Sequence, residues 1–239
     1  MFGTAAAIAE PWDPEADRVS WLAPTRTPVV APASGAMLAP FRGSGTWLDV
    51  YDWSKRYGGT SFKLIDIDKV AAAGYQTIYI QTTKSGHPDL VLEPARLKAL
   101  INRAHLRGLS VVGWYLPSHN DEMRDYRKTI AMLRLGVDGI GLDLESTVVK
   151  DVPKRNAAAV RLMRRVTAKL RATKAKIGVA SITYTPYTLE SSNRLWPDFP
   201  WAALAPYTTV WMPMSYWRDR KSTRLNSSHE WISRMPSSA

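Results

Sequence analysis

Two carboxylates, Asp143 and Glu145, stand two residues apart in the run Leu142-Asp143-Leu144-Glu145. On a β-strand, residues at that spacing point to the same side. Two like charges held close and partly out of water raise the pKa of at least one of them. That is how a carboxylic acid stays protonated near neutral pH for general acid work. Further polar and aromatic residues fall at the ends of other apolar runs: Asp49 and Asp52, Gln81 and Lys84, Trp114, Tyr115 and His119, Tyr184, and Tyr216 and Trp217. Tryptophan and tyrosine at the rim of a pocket suit stacking on sugar rings, and also suit a core. Asp49 and Asp52 are the candidates on the first strand for a further carboxylate at the same site.

The elements that must position these residues alternate. Strands are expected at 45–51, 75–82, 109–116, 138–145, 176–184 and 208–216. Helices are expected at 66–73, 94–107, 121–135, 154–173 and 201–205. Strand, helix, strand at this spacing means βαβ units and a parallel sheet. The strands are nearly continuous apolar runs, as strands covered on both faces are. The expectation is an α/β fold, a (β/α)8 TIM barrel truncated after the sixth strand, whose C-terminal strand ends carry the site. A doubly wound sheet is the rival, but no Gly-rich phosphate fingerprint follows the first strand.

Three segments are expected: a Pro-rich extended stretch at 1–40, the partial barrel at 41–218, and a non-native tail at 219–239. The string DRKSTRLNSSH from Asp219 resembles the translation of a short-read sequencing adapter. The tail contributes Arg220, Lys221, Arg224 and Arg234 against Asp219 and Glu230, so +2 of the net +11 is its own and +9 remains. The cationic residues concentrate between Lys154 and Lys176, read as the solvated face of an amphipathic helix, and no nucleic-acid motif accompanies them.

With no cysteine in the chain, disulfides, thiolate metal sites and a cysteine nucleophile are excluded. No two histidines plus a carboxylate fall at a metal-like spacing, so no metal or cofactor is expected. No G-x-S-x-G elbow is present. His87 and His105 are expected on the solvent side, and His119 in a surface loop. No apolar run is long enough to span a membrane.

The octapeptide Asp138–Glu145 (DGIGLDLE) resembles the D-G-x-D-x-D-x-E signature of chitinase-type, family 18 glycoside hydrolases. Asp138, Gly139, Asp143 and Glu145 match it, and Gly141 stands where that family has an aspartate. Met214–Tyr216 (MSY) is similar to the family's M-x-Y. The layout over residues 41–218 looks like a bacterial TIM-barrel glycoside hydrolase. Lysozyme-like family 25 barrels also carry a strand-four D-x-E and a strand-one aspartate.

The resemblance implies that Glu145 protonates the glycosidic oxygen. Asp143 would orient an N-acetyl group or steady positive charge on the sugar, and Tyr216 would hydrogen-bond the same region. Glycine at 141 removes the residue that shares a proton with Asp143 in chitinases. The expected partner is a polysaccharide or cell-wall glycan, contacted through Trp114, Tyr115, Gln81, Tyr184, Trp217 and Asp52. The expected setting is secreted or cell-envelope associated, with a cytoplasmic one as the alternative. Two other readings stay open: a metal-dependent phosphodiesterase barrel using Asp143, Glu145 and Asp49, and a non-catalytic glycan-binding barrel.

Overall fold

The computed structural model describes residues 33–59, 61–191 and 195–214. Six strands, β1 (Gly45–Leu48), β2 (Thr77–Gln81), β3 (Ser110–Tyr115), β4 (Gly139–Asp143), β5 (Gly178–Tyr184) and β6 (Val210–Met214), lie side by side in sequence order. Every pairing is parallel. The sheet curls into an open half-barrel with helices between its strands.

The helices are α1 (Gly35–Leu38), α2 (Val50–Trp53), α3 (Leu64–Ala72), α4 (Pro94–Leu106), α5 (Glu122–Ala131), α6 (Val152–Ala172), α7 (Pro186–Ser191) and α8 (Trp201–Leu204). Their ends follow local chemistry. Pro94 opens α4 at a position where its missing N–H costs nothing. The Asp121 and Asp151 side chains accept from the third backbone N–H of α5 and α6, at 2.9 Å each. Gly136, at φ 83°, ends the turn before β4 in a left-handed conformation that side chains resist.

Alternation along each strand sorts the side chains into two layers. Leu48, Ile80, Val111, Tyr115, Ile140, Leu142 and Val179 pack with Leu97, Ile101, Leu162, Met163 and Val166 in the apolar layer between sheet and helices. The opposite parity faces the barrel interior. Strand register sets Trp47, Tyr79, Val112, Gly139 and Gly178 in one row, and Gln81, Trp114, Gly141, Ala180 and Val210 in the next. Asp143 and Ile182 follow, towards the C-terminal strand ends. Within the first row the Trp47 and Tyr79 rings stack at 4.3 Å and 13°.

Four expectations are corrected. The first strand ends at Leu48, not Tyr51, because Asp49 and Asp52 form a capping box that starts α2. Within the segment taken as extended, residues 35–38 are α-helical and 39–41 form a 3-10 turn. This piece closes the N-terminal end of the interior. A β-carbon on Gly139 or Gly178 would come within 2.8 Å of the Phe41 ring, so glycine at both positions seats that ring. The Thr77 hydroxyl donates to the Pro40 carbonyl at 2.9 Å. The helix over 121–135 is α-helical to Ala131 and 3-10 beyond it. His87 is buried, not on the solvent side.

Candidate active site

Asp143 is the last residue of β4, on its interior side, and Glu145 lies two beyond in the turn that follows, beside Tyr184, so both sit at the C-terminal end of the sheet. Asp143 is buried, at 6% exposure, and Glu145 is half-buried. Among the described residues, Asp143 Oδ1 has no hydrogen-bond partner. Burial and the neighbouring Glu145 charge push the Asp143 carboxyl well above the usual carboxylate range. Burial also raises Glu145, against the pull of a hydrogen bond from the Tyr184 hydroxyl, which favours its charged form. The pair therefore holds a proton more readily than two exposed acids would, and its two members differ in depth and partners.

Gly141 lies one inward position below Asp143. A β-carbon there would meet Ile182 Cδ1 at 2.8 Å and Trp114 Cβ at 3.1 Å. The place of a side chain at 141 is thus filled by neighbours from β5 and β3. Trp114 pairs with Gly141 in register and is half-buried, and its indole N–H has no partner among the described residues. An unpartnered indole donor and an unpartnered carboxyl oxygen therefore stand one inward row apart on neighbouring strands. Each would gain from a ligand with a complementary group.

The remaining candidates divide. Tyr184 joins the pair through Glu145. Gln81 holds the loop after β1: its Oε1 accepts from Val50 N at 3.1 Å, and its carbonyl accepts from Trp53 Nε1 at 3.0 Å. Asp49 Oδ1 accepts from Tyr51 N at 2.7 Å and Asp52 N at 3.2 Å, while Asp52 Oδ2 accepts from Asp49 N at 2.9 Å. Both carboxylates are thus engaged in a helix cap. Tyr115 has the wrong parity for the mouth; it is fully buried between sheet and helices, and its hydroxyl donates to Asp125 Oδ1 at 2.5 Å. Tyr216 and Trp217 lie outside the described residues. Asp138, the first residue of the motif, sits at the far end of β4, where Oδ2 accepts from Val111 N at 2.7 Å and meets His105 Nε2 at 2.9 Å.

Helix α5 organises the mouth loops through residues that no sequence motif marks. Lys128 is fully buried, and its ammonium donates to the Lys84, His87 and Asp89 carbonyls at 2.8, 2.6 and 3.0 Å. Burial draws its pKa down to about 8, so it is still charged at neutral pH. Asp125 accepts from Ser118 N and His119 N, fixing the loop after β3. Lys84 bonds the Tyr51 hydroxyl and lies over the Tyr51 and Tyr57 rings, 4.6 and 5.0 Å from their centroids.

His119 is only 3% exposed, against the surface position expected for it. Its ring meets Trp196 edge-on at 5.2 Å, and Arg155 lies 4.4 Å from the centroid of the same indole. Neither imidazole nitrogen has a partner among the described residues.

No family model and no curated protein matches the sequence. Solved structures do. A chitinase from Bacteroides thetaiotaomicron matches at TM-score 0.49 and 11% identity, over 74% of this chain and 54% of that one. A GH20 β-N-acetylhexosaminidase from Streptomyces coelicolor A3(2) matches at 0.41 and 14%, over 73% and 50%. A 2,3-dimethylmalate lyase of the PEP mutase/isocitrate lyase superfamily matches at 0.48 and 15%, over 74% and 59%. The chain spans about half the length of the solved structures it matches. Glycoside hydrolases and a lyase stand side by side among them, so at these identities the likeness concerns the path of the chain and not the reaction.

Proposed function

We propose that the barrel hydrolyses glycosidic bonds of a polysaccharide or cell-wall glycan, with Glu145 as the general acid and Asp143 as its assisting carboxylate. The observation that carries this reading is the carboxylate pair at the end of β4: burial and the Glu145 charge raise the proton affinity of Asp143, and burial raises that of half-buried Glu145. Glu145, the shallower of the two, would deliver a proton to the glycosidic oxygen. The pair would hold one proton between its members; once Glu145 has passed it to the glycosidic oxygen, Asp143, just beneath, would be left ionised and would stabilise the positive charge growing on the sugar ring. Tyr184 would hold Glu145 in place between turnovers. Asp49 fits the role of second carboxylate less well, because its Oδ1 is taken up by backbone N–H groups. The phosphodiesterase reading draws no support, since among the described residues no three His, Cys, Asp or Glu converge as metal ligands.

The test is Glu145→Gln, assayed on fluorogenic aryl glycosides and on cell-wall glycan, with circular dichroism to establish folding. A folded variant slower by a factor of about 10² to 10⁴ supports the acid role. Unchanged turnover refutes it. Wild-type protein that binds glycan and never cleaves it would point to a non-catalytic binding barrel.

A further inference from the structure

Because every strand pairing is parallel, the C-termini of the crossover helices α3 to α6 and the helix-to-strand turns lie at the N-terminal end of the sheet, opposite Asp143 and Glu145. Cationic residues gather at that end. From 152 to 176 the sequence holds nine Lys and Arg residues and no acid, and the last four of them, Lys169, Arg171, Lys174 and Lys176, lie before β5. Arg134 precedes β4 and Arg42 precedes β1. All six are exposed, and among the described residues none makes an ion pair.

The acids at this end are engaged. Asp68 is gripped by Arg103 at 2.5 Å and Arg107 at 2.7 Å, and Asp138 meets His105 and a backbone N–H. The helix dipole favours cations at a C-terminus and accounts for Lys169 and Arg171 in the last turn of α6. Lys174, Lys176, Arg134 and Arg42 lie beyond any α-helical turn, and the dipole does not require them. Leu106, at 77% exposure the next residue before Arg107, projects from the same end.

We propose that this end of the barrel is a docking face for an anionic lipid surface, holding the protein with its Asp143–Glu145 mouth turned away from the bilayer. The cations are contributed by separate turns that share one end of the sheet, which suits a flat partner. An apolar side chain among arginines can enter the headgroup region while the charges meet lipid phosphates. No aromatic residue lies between 152 and 176 to stack on bases, which disfavours nucleic acid. Among the described residues no helix is long and apolar enough to cross a membrane, so the contact is peripheral. The proposal does not depend on the glycosidase reading.

Vesicle flotation of the whole 239-residue chain tests it, since floating vesicles separate bound protein from any aggregate. The chain should float with phosphatidylglycerol–phosphatidylcholine vesicles, not with phosphatidylcholine alone, and should release as salt rises. Each basic residue near such a surface contributes about fivefold in partitioning. The double reversal K174E/K176E should therefore cost on the order of 25-fold or more, and L106D a further few-fold. The control K55E/R56E makes the same charge change at exposed positions after β1, at the mouth end, and should leave flotation nearly unchanged. Three results would overturn the proposal: no flotation with anionic vesicles, equal losses in the control, or displacement from vesicles by equimolar heparin or single-stranded DNA, which would make the face a polyanion site.

Discussion

Replacing His119 by phenylalanine should remove a pH-dependent weakness built into the mouth. The imidazole is buried beside Trp196 with Arg155 nearby, and burial followed by the Arg155 charge lowers its pKa from 6.5 to about 3. In the unfolded chain the same ring takes a proton at about 6.5. Between these values the unfolded state binds the proton and the folded state does not. Stability is therefore fully present above the unfolded pKa and falls as pH drops, by about 1.4 kcal/mol per unit. From pH 7.5 to 4.5 the loss attributable to His119 is about 2.5 kcal/mol.

Other groups titrate in the same window. His87 is lowered as well and adds to the loss, while Asp143, Glu145 and Asp125, all raised, work against it. The measurement is therefore a difference: urea unfolding of wild type and His119→Phe at several pH values, with the gap between them plotted. Phenylalanine keeps the edge-on contact with Trp196 and titrates nowhere. The gap should open below pH 6.5 at the stated slope. Parallel curves from pH 7.5 to 4.5 would refute the buried, neutral imidazole.

Three further outcomes follow from the site. Tyr184→Phe removes the hydrogen bond that favours charged Glu145, so the limb of the pH–rate profile assigned to the acid should move to higher pH, with folding unaffected in a thermal melt. Gly141→Asp puts an aspartate where the chitinase-type signature has one but drives a β-carbon against Ile182; it should cost about 1–3 kcal/mol in urea unfolding, and less in an Ile182→Val background, where the clashing methyl is gone. Lys128→Met leaves the carbonyls of Lys84, His87 and Asp89 without their donor; a loss of roughly 3 kcal/mol is expected, with protease cleavage rising first in the loop after β2.

What could be read from the sequence was the part governed by short periods. The parallel order and the interior position of Asp143 follow from alternation and spacing, while Glu145 falls in the turn beyond β4, where the strand period no longer applies. Alternation did not settle parity in the third strand, because Trp114 and Tyr115 are adjacent aromatics and either could have faced inward. Only the pairing of Trp114 with Gly141 decides between them. Asp49 looked like a strand-end acid, and nothing in GTWLDVYD shows that Asp52 will cap it. Burial of His87 and His119 depends on residues far along the chain, Tyr57 and Trp196. The Phe41 plug left a faint trace, glycines at 139 and 178, that acquires meaning only once β4 and β5 are known to be neighbours.

That plug bears on how the chain can be made. Each strand hydrogen-bonds to its predecessor in sequence, so during synthesis the sheet can grow one strand at a time as residues leave the ribosome. The seat for Phe41, however, consists of glycines on β4 and β5. An apolar group that emerges ahead of every strand must wait for backbone of β4 and β5, and until then its ring has no seat. A ribosome that pauses before β5 therefore displays a greasy, strand-edged intermediate, the form on which holding chaperones act.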